Sequence, residues 1–322
     1  MIRNVFNSII GLTLILGMFS SCGNKPKNTK AEQDYQRAAR YFYADESFSP
    51  ILNEALNVFS YNAPLDTLEA QYTDEQEAFK KLMALDTWLI FTSRDLTAKE
   101  RQNLKDRSYI PRTIPIAYDG LALIVNNQNP DTCITVRDFK RILKGEISTW
   151  KELYPSSKLG TIDVVFDNPL SSTVRWCVDS LLGGQEIKAP NVGAVKTSAA
   201  VIDYVEKHAG SLGIIGSNWL NDSRDTTNVT FKKNITVMGV SRLDSASSAN
   251  SWKPYQYYLY NGNYPLLRTI YALLNEPRSG LPSNFAHFVR LPKGQLIIQK
   301  SGLLPIQAAT NVREIYVNYK DQ

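Results

Sequence analysis

Residues 164–184 of this 322-residue chain, VVFDNPLSSTVRWCVDSLLGG, place a short apolar β-strand just before an amphipathic helix. The strand is expected at residues 164–166, and a four-residue turn separates it from the helix. We predict the helix over residues 171–182, because its apolar residues recur at helical spacing and the glycine pair behind it favours termination. A strand followed closely by a helix is typical of α/β folds.

The same alternation of strand and helix recurs on both sides of this unit. The apolar run 88–91 predicts a strand, and the segment 97–100 (TAKE) predicts the capped start of the next helix. An amphipathic helix over 198–209 precedes a buried strand over 212–215. Further expected elements are a helical run at 51–59, helices beginning at the capping box 73–76 and at Thr135, and a strand at 116–126 broken at Asp119-Gly120. We therefore predict an α/β fold with mostly parallel sheets.

Composition indicates a globular domain without nucleic-acid or metal chemistry. The chain is 43% hydrophobic and 21% charged, which is enough to bury one large core or two lobes. Its net charge of +5 is spread along the sequence, so no nucleic-acid partner is expected. Because the chain has two histidines and no CxxC or HExxH motif, we expect no metal and no cofactor. No nucleophile with a base and no acid pair stands out, so an enzyme is not expected.

Residues 1–22 resemble the signal peptide of a bacterial lipoprotein. Arg3 supplies a positive charge, the apolar run 9–19 is too short to span a bilayer, and small residues precede Cys22. In the lipobox that this pattern resembles, the cysteine is lipidated and becomes the new amino terminus. The alternative is an ordinary secretory signal with an incidental cysteine. Residues 23–34 are predicted to be a flexible tether, so we expect a periplasmic lipoprotein anchored to a membrane.

Two further cysteines, Cys133 and Cys177, follow the predicted lipidation site. In an oxidising compartment the two could form a disulfide. Cys177 falls on the apolar face of the helix predicted over 171–182, which favours two buried thiols instead. The disulfide remains the alternative.

Three segments place hydroxyl side chains or an arginine where a helix begins beyond a strand. These segments are 45–50 (DESFSP), 92–94 (TSR) and 171–173 (SST), with Arg175 one turn into the last helix. Helix starts present unpaired N–H groups, and hydroxyls donate to an oxyanion without adding charge. The pattern predicts a site for a small tetrahedral anion. The alternative is that the hydroxyls are helix caps and the arginines are solvated surface charges.

Residues 114–153, IPIAYDGLALIVNNQNPDTCITVRDFKRILKGEISTWKEL, resemble the phosphate-binding proteins of phosphate-specific ABC transporters. That family has a similar apolar strand with Asp-Gly, an Asn-Pro turn, a helix and a Gly-x-Ile-x-x-Trp segment. Residues 285–305, FAHFVRLPKGQLIIQKSGLLP, are similar to its closing helix. The segments 92–96 and 171–173 are similar to two of its anion loops.

The resemblance implies a two-lobed α/β periplasmic-binding-protein fold of type II, with the ligand cleft between the lobes and closure about a hinge. The implied organisation is a first lobe at 35–117 plus 238–322 and a second lobe at 118–237. The implied ligand residues are Ser47, Phe48, Ser93, Arg94, Ser171, Ser172 and Thr173, with Arg175 or Arg94 supplying positive charge. The implied function is binding of inorganic phosphate for delivery to an ABC transporter permease. The alternative is a sensory or scavenging lipoprotein that binds phosphate or another oxyanion without a permease.

The third anion loop departs from the family pattern in two places. Ser172 stands where glycine is usual, and Asp167-Asn168 replaces the arginine that often precedes the loop. A buried carboxylate near the loops would favour hydrogen phosphate over sulfate, because only hydrogen phosphate has a proton to donate to it. Glu46 and Asp119 are the candidate proton acceptors. The alternative for each is a structural role, as a partner of a helix dipole or as a turn residue.

Overall fold

The computed structural model describes residues 30–62, 67–221 and 231–306. Contacts divide the chain into two compact units, Met1–Gln36 and Arg37–Gln322. Of the first unit the structure describes only the beginning of helix α1 (Lys30–Ala39). Residues 30–34 are helical where the sequence predicts a flexible tether, because the segment from Lys30 onward is rich in good helix formers. The predicted signal peptide and its Cys22 lie outside the described residues.

Ten of the strands in the described ranges form one continuous sheet. Its order is β2-β1-β3-β11-β4-β8-β6-β7, with β9 and β12 also pairing with β4, while β5 and β10 pair separately. The strands are β1 (Tyr41–Asp45), β2 (Glu69–Thr73), β3 (Leu89–Thr92), β4 (Arg112–Asn126), β5 (Cys133–Thr135), β6 (Asp163–Phe166), β7 (Val192–Ala194), β8 (Ser211–Gly216), β9 (Ile235–Val237), β10 (Gly239–Ser241), β11 (Leu267–Leu274) and β12 (Leu304–Pro305).

Helices cover the faces of this sheet, and several begin at the caps expected from the sequence. Thr97 forms a complete capping box with Glu100, and Thr135 caps the following helix through the Asp138 N–H. Helix α7 (Ser172–Trp176) continues into a π-helical turn, Cys177–Leu181. The remaining helices are α2 (Ser49–Asn62), α3 (Glu75–Ala84), α4 (Ala98–Asp106), α5 (Val136–Leu143), α6 (Trp150–Leu153), α7 (Ser172–Trp176), α8 (Ser198–Lys207), α9 (Gln256–Tyr260), α10 (Leu281–Arg290) and α11 (Pro292–Lys300).

Strand β4 carries the chain from one half of the sheet to the other. Up to Gly120 it pairs antiparallel with β11, and from Leu121 onward it pairs antiparallel with β8. Strands β1, β2 and β3 are parallel on the first side, and β6, β7 and β8 are parallel on the second. We call these halves, with the helices packed on them, the first lobe and the second lobe. Each lobe has its own buried apolar clusters.

The segment between β10 and β11 packs with the second lobe. Met238, Leu259 and Tyr264 are buried in the same cluster as Val164 of β6 and Ile214 of β8. The sequence predicts a return to the first lobe near residue 238. From this packing we propose that the first lobe resumes at β11 instead.

Two smaller predictions have clear outcomes. Cys133 and Cys177 are free thiols, the first half-buried and the second fully buried, so the disulfide is not formed. The predicted strand break at Asp119-Gly120 is wrong, because β4 is continuous there.

No helix within the described ranges is both long and apolar enough to cross a bilayer.

Candidate functional site

The predicted anion loops meet between the lobes, at the carboxyl ends of parallel strands. From the first lobe, a 3-10 turn (Glu46–Phe48) follows β1, and Ser93 follows β3. From the second lobe, residues 167–171 lead from β6 into α7, and α8 begins at Ser198. Carboxyl ends of parallel strands are where open α/β sheets bind ligands, so the sheet topology itself assembles this site.

Ser47 and Ser172 come from different lobes and lie side by side at its centre. Their hydroxyl oxygens are 3.3 Å apart, and both side chains are buried. The side chains of Asn218 and Trp219 each donate to the Ser47 carbonyl oxygen at 3.0 Å, which fixes the turn. The structure therefore brings the first and third predicted loops into direct contact.

The carboxylate of Asp45 holds the donors of both loops. Its Oδ1 accepts from the Ser47 N–H at 3.0 Å and from the Ser47 hydroxyl at 2.5 Å. Its Oδ2 accepts from the Ser172 N–H at 2.8 Å. Burial, together with repulsion from Asp167 and Glu75, raises the pKa of Asp45 to about 6. Asp45 has no local sequence signal of this role, although it opens the DESFSP segment.

Arg268 is the buried cation at the centre of the site. Its Nε and Nη2 both lie 2.8 Å from Oδ2 of Asp119. Its Nη1 donates to the Ser172 hydroxyl at 2.8 Å, and its Nη2 donates to the Ser47 hydroxyl at 3.2 Å. The guanidinium carbon lies 4.8 Å from the ring centroid of Phe48, within reach of a cation–π interaction. Phe48 is thus a buried wall of the site.

The sheet positions Arg268 and explains the surroundings of Asp119. The two residues are cross-strand partners in β11 and β4. Asp119 also accepts from the Ser217 N–H at 2.9 Å and the Ser217 hydroxyl at 2.8 Å, so this candidate proton acceptor is paired within the chain. A Cβ at Gly216 would lie 2.9 Å from Arg268 Nη2, so glycine leaves room for the pair. An arginine inside the strand LRTIYALL is the sequence signal that could have revealed this cation.

The remaining hydroxyls of the third loop bind a second buried carboxylate. Ser171 donates to Asp167 at 2.7 Å, and Thr173 donates to it at 3.1 Å. Ser171 also caps α7 by accepting from the Val174 N–H at 3.3 Å. Burial raises the pKa of Asp167. Asp167 stands at the position that the resemblance assigns to arginine. It accepts hydrogen bonds from two of the predicted ligand hydroxyls.

Ser93 and Arg175 meet across the lobes around Glu75. Arg175 Nη2 donates to the Ser93 hydroxyl at 2.6 Å, and its Nε pairs with the Glu75 carboxylate. The same carboxylate accepts from the Thr92 hydroxyl and, at 2.9 Å, from the Ser93 N–H. Burial would raise the pKa of Glu75, but the ion pair with Arg175 and these hydrogen bonds outweigh it and lower the pKa. The second loop is thus tied to α7.

Arg94 lies at the edge of the site rather than at its centre. Its Nη1 and Nη2 bind the two oxygens of Glu100 at 2.8 Å each, and its guanidinium carbon lies 3.4 Å from the ring centroid of Phe79. Arg94 also lines a cavity of about 430 Å³ that opens beside the site. Other residues lining it include Glu75, Leu170, Ser171 and Arg175. Arg94 therefore lines this cavity and does not contact the buried donors of Ser47 and Ser172.

Glu46, the other candidate proton acceptor, binds the start of a second-lobe helix. Its Oε2 accepts from the Ser198 N–H at 3.0 Å and from the Ser198 hydroxyl at 2.9 Å. Burial raises the pKa of Glu46. The adjacent residues Asp45 and Glu46 thus bind the first residues of α7 and α8, respectively. Ser198 carries no sequence signal that would place it in the site.

The chain is similar to a known family of proteins. A family model described as a PBP superfamily domain matches residues 42–291. The phosphate-binding protein PstS of Staphylococcus haemolyticus is 22% identical over 222 residues, 69% of each chain. PstS of Pseudomonas aeruginosa is 24% identical over 231 residues, 67% of each chain.

A solved structure shares the fold. It is a substrate-binding protein from Clostridium perfringens, assigned to a phosphate ABC transporter and solved with bound phosphate. It superposes with a TM-score of 0.69 at 21% identity, covering 84% of this chain and 100% of that chain. This likeness confirms the predicted two-lobed α/β fold.

Proposed function

Because the chain belongs to the PBP superfamily, we propose that it binds inorganic phosphate outside the cytoplasm and delivers it to the permease of an ABC transporter. The two sequence relatives are named phosphate-binding proteins, and the solved neighbour holds phosphate, which supports the choice of ligand. All three are named as binding proteins, which supports a binding role rather than an enzymatic one.

One observation carries the proposal. Donors of Ser47 and Ser172, from opposite lobes, bind the two oxygens of a single carboxylate. A carboxylate is itself a small oxyanion, so the donor geometry suits a negatively charged group with oxygens on two sides. Arg268 lies against both hydroxyls and supplies buried positive charge.

The other predicted ligand residues surround this centre in distinct roles. We propose that Ser93, Ser171 and Thr173 donate to phosphate after their present hydrogen bonds to carboxylates have broken. Phe48 forms one wall of the site in this proposal. Arg94 and Arg175 line the neighbouring cavity, which supports a role in attracting the anion from solvent. Glu46 binds the start of α8, and Asp119 binds Arg268. These contacts support the structural role for both acids.

Calorimetry with phosphate and sulfate tests the function. We expect phosphate to bind with about micromolar affinity, near −8 kcal/mol, and sulfate to bind at least about a hundredfold more weakly. Sulfate has no proton to donate to the carboxylates of this site, so it meets uncompensated repulsion. Absence of heat and of any thermal shift at millimolar phosphate would contradict the proposal.

The Ser47→Ala variant tests the location of the site. Losing a hydroxyl that donates to an anion costs about 1.5–3 kcal/mol, or roughly ten- to a hundredfold in phosphate affinity. Ser156→Ala is a matched control, because Ser156 is exposed and lies outside the described site contacts. Equal phosphate affinity in the two variants would place the ligand elsewhere.

We also propose that Cys22 is lipidated and anchors the chain to a membrane. Cys22→Ser should abolish incorporation of labelled fatty acid and leave an unprocessed precursor. Release of a normally cleaved, soluble Cys22→Ser protein would instead indicate the ordinary secretory signal.

The second candidate is an oxyanion-binding sensory or scavenging lipoprotein that is not coupled to a permease. The carboxylate of Asp167, at the position that the resemblance assigns to arginine, favours it, because this charge weakens the match to the phosphate transport site. Uptake of radiolabelled phosphate at low concentration distinguishes the two. Deleting the gene should slow uptake severalfold if the protein delivers phosphate, and should leave uptake unchanged if it does not.

A further inference from the structure

Asp45 already occupies the donors that a bound oxyanion would need. We propose that its carboxylate is a built-in occupant of the anion site, and that an incoming oxyanion has to take over its hydrogen-bond donors. This inference rests on the proposed oxyanion-binding function. It makes Asp45 a specificity-determining residue of that site.

The hydrogen bonds of Asp45 have the pattern of a bound ligand rather than that of a local turn. A turn or helix cap would need only the bonds to Ser47, two residues away. The bond from the Ser172 N–H instead spans 127 residues and joins the two lobes. Asp45 is fully buried and both of its oxygens are bonded, so the lobes are held together around a negative group of the chain itself.

The charges around Asp45 define which anions can replace it. One buried arginine, Arg268 from β11, faces it across the two serine hydroxyls. The nearby acids are Asp119 of β4, Asp167 before α7, Glu75 of α3 and the neighbouring Glu46, and they outnumber the two arginines, Arg268 and Arg175, that pair with Asp119 and Glu75. An anion that enters while Asp45 is ionised therefore adds charge of the same sign to an acidic site. Ionised Asp45 selects against highly charged, unprotonated anions such as sulfate.

The same geometry couples anion binding to proton uptake. Burial raises the pKa of Asp45 to about 6 before any ligand enters, and a neighbouring anion raises it further. Binding then takes up a proton between those two pKa values. Phosphate itself titrates in this range, so the effect is read relative to Asp45→Asn: wild-type affinity should rise relative to that variant as the pH falls towards about 6 and level off below it.

Replacing Asp45 tests whether its carboxylate competes with phosphate for the donors or only stabilises the fold. Phosphate titrations of the full chain should show Asp45→Ala binding at least about tenfold tighter than the wild type near pH 8, because the donors are free and the repulsion is gone. That advantage should shrink below about pH 6, where wild-type Asp45 is protonated. Phosphate should also raise the melting temperature of Asp45→Ala more than that of the wild type.

Two further variants keep the test decisive. Asp45→Asn keeps the shape without the charge, so it should also tighten phosphate binding and flatten its pH dependence, and it serves if Asp45→Ala does not fold. Asp203→Ala removes an exposed carboxylate on α8 and should change phosphate affinity less than about twofold.

The possible outcomes separate this inference from the proposed function. If the wild type binds phosphate and both Asp45 variants bind it equally or more weakly, Asp45 is a ligand or a structural acid, and the inference is wrong. If no protein binds millimolar phosphate, the proposed function fails and the inference falls with it. Tighter binding by the variants supports both.

Discussion

Buried carboxylates in this molecule accept hydrogen bonds from the serine and threonine hydroxyls that the proposed anion would need. A hydroxyl has a single proton to donate, so a hydroxyl that donates to a carboxylate has no second proton for an anion. Ser47 donates to Asp45, and Ser171 and Thr173 donate to Asp167. We therefore expect the selectivity of the proposed anion site to depend on these internal acceptors as much as on the donors.

The ion pair between Arg268 and Asp119 offers a direct measure of buried charge. Both side chains are fully inaccessible to solvent. Arg268→Met should lower the free energy of unfolding by about 3–5 kcal/mol, because it leaves Asp119 buried without its counter-charge. Urea denaturation at neutral pH without phosphate measures this loss.

The control for that variant is Arg137→Met. Arg137 pairs with Asp244 at the same 2.8 Å distance, but the two side chains are 55% and 96% exposed. An exposed pair contributes less than about 1 kcal/mol, so this variant should unfold almost like the wild type. Equal losses in the two variants would show that burial does not determine the contribution of the Arg268 pair.

Elements with strong local signals could be predicted from the sequence. The capping box at Thr97 and the apolar stripe before Gly183 predict helices that the structure contains. Helix α3 begins one residue later than the box at 73–76 predicts, because Asp74 is its cap, accepting from the Glu77 N–H at 2.9 Å. Thr73 and Asp74 are both good caps, so local pattern alone does not separate them.

Features that depend on distant partners could not be predicted in this way. Strand β4 passes through Asp119-Gly120 unbroken because its partner changes there, from β11 to β8. Arg268 contacts Ser47 across 221 residues of sequence, so no local motif links them. The serine loops could be predicted as an anion site, whereas the bond from the Ser172 N–H to Asp45 joins residues 127 positions apart and could not.

At the scale of the whole molecule, ionisable groups connect the lobes and make stability depend on pH. The unfolded carboxyl of Asp45 has a pKa near 3.8, and burial raises it to about 6 in the folded protein. A group with a raised pKa favours the folded state at low pH, and this contribution is lost as the pH rises through the folded value. The stability contribution of Glu75 depends on pH in the opposite direction, because its lowered pKa contributes stability that is lost in acid.

Asp45→Asn isolates the first of these contributions. The unfolding free energy of the variant minus that of the wild type should increase by on the order of 2–3 kcal/mol between about pH 4 and pH 7, because asparagine does not titrate. The contribution of Glu75 is present in both proteins and cancels. Urea denaturation without phosphate across this range provides the measurement, and a difference independent of pH would show that Asp45 is not the titrating group.

Asp45 and Glu46 are consecutive on one backbone, yet each binds the first residue of a different second-lobe helix. A peptide unit is rigid, so the first lobe cannot withdraw one of these carboxylates far without withdrawing the other. The two helices must therefore be released together. A partly opened form should therefore have lost both of these anchors at once.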